Sequence, residues 1–153
     1  MSQPDAMMAR IGEGIALSQG GERDAARGLL TQLWDEIGPD GDPLHRCALA
    51  HHLADLQDDV REELAWDLRA LEAADSVSEE RAQEAGVAGS VRGFYPSLHL
   101  NLGEAYRKLG DFDRAREHLA QGRAAAGSLA DDGYGNMIKG GLDRLADRLK
   151  APA

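Results

Sequence analysis

The chain has 153 residues, enough for one domain with a continuous core, and its 27 acidic and 17 basic side chains leave a net charge of −10. That charge argues against a nucleic-acid binder, whose surface carries basic patches. No apolar run reaches the roughly 18 residues of a membrane span, and the single cysteine, Cys47, rules out an internal disulfide and fits a reducing compartment. Aromatic residues make up only 5% of the chain, so leucine and alanine must supply most of the packing. The first ten residues lack the basic-then-apolar layout of a secretory signal, which predicts a cytoplasmic location.

Apolar residues recur at helical spacing along most of the chain, which predicts an all-α fold. The first helix pair is expected over about 6–38, with a turn at Gly21 and Leu30 on the second helix. The second is expected over about 43–74, with Leu49, Ala50 and Leu53 before an Asp58-Asp59 turn and Leu64, Leu68 and Leu71 after it. An insertion follows over 75–95. Its Ser76-Val77-Ser78-Glu79 reads as a capping box and predicts an extra short helix near 77–85. Gly86, Gly89 and Gly93 then loosen the chain until Pro96 opens the next helix. The segment is either a plain extension or a flap over one end of the fold.

The third pair, over 96–126, has the clearest pattern. Leu98, Leu102, Ala105, Tyr106 and Leu109 form one apolar stripe, and Gly110-Asp111 ends that helix and caps the next. Phe112, Ala115, Leu119 and Gly122 form the facing stripe. Gly103, Ala105 and Ala115 are small enough for the two backbones to approach closely. Upstream, Ile11-Gly12-Glu13-Gly14-Ile15 echoes Leu102-Gly103-Glu104-Ala105-Tyr106, and the stretch from Gly21 to Arg27 echoes that from Gly110 to Arg116. Finally, Tyr134, Met137, Ile138, Leu142, Leu145, Ala146 and Leu149 predict an amphipathic closing helix over about 132–150, kinked or tightly packed at Gly140-Gly141.

Leu102-Gly103, Tyr106, the turn Gly110-Asp111-Phe112 and Ala115 together resemble a tetratricopeptide repeat, with His99 in place of the usual tryptophan. Gly12 to Ala50 spans 38 residues, close to the family's roughly 34. The resemblance covers about residues 8–126. It implies a right-handed superhelix of three such pairs, whose first helices line a concave groove that holds a peptide or partner protein. Carried onto this chain, the groove residues are Glu13, His51, Asp55, Asn101, Glu104, Arg107 and Lys108. The positions that clamp an acidic chain end in the best-known version of the groove read Ala9, Glu13, Ala48, Ser97 and Asn101, of which only Asn101 suits that role. The groove is therefore expected to take a basic or polar segment.

Nothing in the sequence has the layout of a catalytic site. There is no phosphate-binding glycine loop, Ser/His/Asp order or zinc-type cysteine pattern, and no cofactor is expected. His51 and Asp55 share a helix face and make two ligands of a metal site that needs three or four. Cys47 reads as a buried or groove-lining thiol, and Trp34 and Trp66 as core between repeats. Asp55, Asp58, Asp59, Glu62, Glu63 and Asp67 crowd one stretch, as a solvated turn or as a partner-binding patch. The expectation is thus a non-enzymatic scaffold or adaptor for a protein or peptide, possible also as a homodimer. The alternative is a regulator that responds to a small molecule or metal through His51 and Asp55.

Overall fold

The computed structural model describes residues 6–78, 80, 95–128 and 133–150. These residues are all-helical, with no strand, and no helix among them is long and apolar enough to cross a membrane. The expected short helix near 77–85 and the choice between flap and extension lie largely outside the described residues. The chain divides into two compact units, one ending at Val77 and one beginning at Ser78.

The first unit holds α1 (Ala6–Gln19), α2 (Arg23–Ile37), α3 (Pro43–Asp55) and α4 (Val60–Asp75). Helix α1 ends at Gly21, whose φ of 86° places it in the left-handed region that glycine reaches without strain. The Gly21 N–H donates to Ser18 O and the Glu22 N–H to Leu17 O, so two terminal carbonyls of α1 are satisfied before the chain reverses. The α3–α4 turn has no glycine. Asp59 Oδ1 instead accepts from Arg61 N and caps α4. Asp42 does the same for α3 by accepting from Leu44 N, with Pro43 in the first turn, where its missing N–H costs nothing.

The core of this unit is Ile11, Ala26, Leu30, Leu33, Leu49, Leu53 and Leu56, with Trp34 and Trp66 packed at its edge. A Cβ added at Gly14 would stand 2.5 Å from Leu30 Cδ2, so α1 and α2 pack through a glycine. Gly12 is exposed, with nothing within 4 Å of such a Cβ. This corrects the internal alignment. The packed glycine that matches Gly103 is Gly14, and each lies seven residues before its turn glycine, Gly21 or Gly110. In the corrected register Ile15, and not Glu13, stands where Glu104 does.

The second unit holds α5 (Tyr95–Lys108), α6 (Phe112–Ala125), a 3-10 turn (Ala126–Ser128) and α7 (Gly133–Lys150). The turn after α5 repeats the one after α1. Gly110 has φ 83°, its N–H donates to Arg107 O, and the Asp111 N–H donates to Tyr106 O. Asp111 Oδ1 then accepts from Arg114 N and caps α6. Asp111→Ala should lower stability by about 1 kcal/mol and Asp111→Asn by much less, because asparagine keeps the capping oxygen. Urea denaturation of the three proteins checks this.

Helix α7 packs on both α5 and α6, and glycines make the seats. A Cβ at Gly103 would meet Leu145 Cδ2 at 2.6 Å, one at Gly122 would meet Leu142 Cδ2 at 2.9 Å, and one at Gly141 would meet Leu100 Cδ2 at 2.6 Å. Gly103 thus serves α7 first and α6 second, since the Ala115 carbonyl lies farther off at 3.4 Å. Tight packing is the outcome at Gly141. The expected stripes are trimmed at the turn, where Leu109 is 38% and Phe112 40% exposed.

Candidate binding surface

Glu13 is exposed on α1, beside the small exposed residues Ala9, Gly12 and Ala16. His51 and Asp55 lie on α3 one turn apart, His51 half-buried and Asp55 exposed. Burial pushes the His51 imidazole below its ordinary pKa. It pushes His52 down to about 4, with the neighbouring His51 adding to the shift and Asp55 opposing it. Both rings therefore stay neutral at pH 7. Among the described residues no group of three or more His, Cys, Asp or Glu side chains is placed to hold a metal ion.

Cys47, in the turn of α3 before His51, is buried, and desolvation raises its thiol pKa to about 12. The thiolate is the reactive form. Iodoacetamide at pH 7.5 should therefore leave Cys47 unmodified in the native protein and label it once the chain is unfolded in urea, with mass spectrometry as the readout.

The crowded acidic stretch resolves into separate roles. Asp58 faces Arg23 and Arg27 of α2 at 3.4 and 3.6 Å. Asp59 is the α4 cap. Asp67, at 1% exposure, is buried in the fold, which corrects the reading of it as part of a solvated turn.

In the second unit Asn101, Glu104, Arg107 and Lys108 lie on α5. Glu104 is drawn inward: its carboxylate accepts from Arg107 at 3.0 Å and from Arg148 of α7 at 2.6 Å, and its side chain is 18% exposed. Its charge is balanced within the unit. Lys108, at the end of the same helix, is exposed.

The sequence marks Trp34 and Trp66 as core between repeats, but it announces neither the arginines on their rings nor a pairing of His99 with His118. In the second unit His99 and His118 meet through Nδ1 atoms 3.0 Å apart, so one ring donates and the other accepts. Tyr106 stacks on His118 with planes 7° apart, and Tyr95 stacks on His99. No spacing rule links 99 to 118, because the pair forms across two helices. In the first unit Trp34 and Trp66 pack edge to face at 5.0 Å, and each carries an arginine on its ring. Arg46 lies 4.1 Å from the Trp34 centroid and Arg69 4.4 Å from that of Trp66. Trp66 and Arg69 are three apart on one helix, a signal readable in advance. The link from Trp34 to Arg46 is not local. No protein-family model, no curated protein and no solved structure matches the chain.

Proposed function

We propose that this chain is a non-catalytic interaction module of the tetratricopeptide kind, whose first-helix faces hold a basic or polar segment of a partner protein. One observation carries the reading. The pairs α1/α2 and α5/α6 share a packed glycine seven residues before a left-handed turn glycine, and the same two carbonyl-capping hydrogen bonds close both turns. A hairpin repeated at this level of detail is what repeat scaffolds are built from, and their usual work is to present side chains to a partner. Asp55 supplies exposed negative charge on α3, whereas Glu104 is already balanced by Arg107 and Arg148. Preference for a basic ligand therefore rests on the first unit.

A peptide array probed with the purified protein tests this. Basic and polar peptides should be retained over acidic ones, and Asp55→Lys should weaken their retention. Acidic peptides winning, or retention unchanged in that variant, would overturn the reading.

A further inference from the structure

A pocket of about 150 Å³ lies within the first unit, between the α2–α3 loop, the first turns of α3 and the last turns of α4. Pro39, Gly41 and Pro43 are part of its lining, and Arg46, Arg69 and Glu72 supply its charge. Pro39, Arg69, Glu72 and Ser76 are exposed, so this is a surface pocket, and its volume suits a small molecule and not a folded partner. Two arginines converging on one small cavity stand out in a chain of net charge −10.

The arginines are arranged in advance. Each guanidinium lies over an indole, and the two indoles are locked edge to face. Stacking holds a guanidinium by its face and leaves the N–H donors of its edge free to point sideways. Arg46 uses one donor on the Gly38 carbonyl, which ties it to the loop that walls the pocket. Among the described residues neither Arg69 nor Glu72 has an ion-pair partner, although they are three apart on α4. The lining therefore combines two cationic forks with the carboxylate of Glu72 and the hydroxyl of Ser76.

We propose that this pocket binds a small ligand carrying a phosphate or carboxylate at one end and an ammonium group at the other. The oxyanion is taken by the edges of Arg46 and Arg69, whose planar forks match two oxygens at once. The ammonium group is taken by Glu72. The proposal is independent of the interaction-module reading, since it needs neither Glu13 nor Asp55.

Trp34 and Trp66 are the only tryptophans in the chain, so their fluorescence reports on this site directly. The protein is titrated with inorganic phosphate, glutarate and O-phosphoethanolamine at constant ionic strength, with sodium chloride as reference. All three probes should give saturable changes that chloride does not, with O-phosphoethanolamine the tightest. Arg69→Gln should raise Kd about tenfold or more, as expected for losing hydrogen bonds to a charged group. Glu72→Gln should remove the advantage of O-phosphoethanolamine over phosphate. Arg69 is exposed, so its variant keeps the test valid even if Arg46→Gln loosens the Gly38 loop and fails to fold. A response that does not saturate, equals that of chloride, or is unchanged in Arg69→Gln overturns the site. An O-phosphoethanolamine preference that survives Glu72→Gln overturns the role of Glu72.

Discussion

Leu145→Ala should destabilise the second unit by about 2–5 kcal/mol, the range for deleting a fully buried leucine side chain, and Gly103→Ala should then recover part of that loss. Leu145 is 0% exposed and sits in the cluster with Ala115 and Leu149. Its Cδ2 occupies the space that a Cβ on residue 103 would need, at 2.6 Å. In the wild-type background Gly103→Ala gains about 1 kcal/mol of helix propensity and pays about 1–3 kcal/mol for overpacking. The net change is neutral to destabilising. In the Leu145→Ala background the obstruction is gone. The new methyl lines the cavity and the propensity gain remains, so the same substitution becomes stabilising. Chemical denaturation of the four proteins gives the coupling, expected at about 1–3 kcal/mol and favourable, as for residues in direct contact. Strictly additive costs would mean that α7 does not seat on Gly103.

That contact marks the limit of what the sequence made legible. Helix periodicity and turn chemistry are local and legible: the described residues are all-helical, and Gly21 and Gly110 end their helices in the left-handed region. Which atom fills the space over a small residue is not local. By sequence Gly103 makes room for the adjacent helix, yet the main occupant is Leu145, some 40 residues on. The Gly12 alignment failed for the same reason. Two glycines in one helical turn look alike in sequence, and only Leu30 above Gly14 tells them apart. The candidate surface follows this rule too. The helical spacing of His51 and Asp55 was legible. The tie from Arg148 that balances Glu104, the burial of Asp67 and the placing of Arg46 on Trp34 depend on partners distant in sequence, and no pattern of nearby residues announces them.

Acidification from pH 7 to pH 5 should cost the first unit about 2 kcal/mol through His52 alone, before most carboxylates begin to titrate. His52 has a folded-state pKa of about 4 against an ordinary 6.5, because burial disfavours the imidazolium and His51 stands beside it. The unfolded chain therefore binds the proton more readily at any pH between the two values. Stability from this residue is complete above pH 6.5 and falls by about 1.4 kcal/mol per pH unit below it. His51 acts in the same direction by its own burial, and His118, also lowered mainly by desolvation, does so in the second unit. Carboxylates such as Glu36, whose pKa is lowered by hydrogen bonds from Arg10, lose their contribution only at lower pH. Thermal melts followed by circular dichroism at half-unit steps separate the two regimes. The decline between pH 6.5 and 5 should become shallower in His52→Gln, which keeps a polar side chain of similar reach without a titrating nitrogen, while the loss below pH 4.5 should persist. A melting temperature that stays level from pH 7 to 5, or a slope that His52→Gln leaves intact, would mean that this histidine is hydrated enough in the folded state to take up its proton as freely as in the unfolded chain.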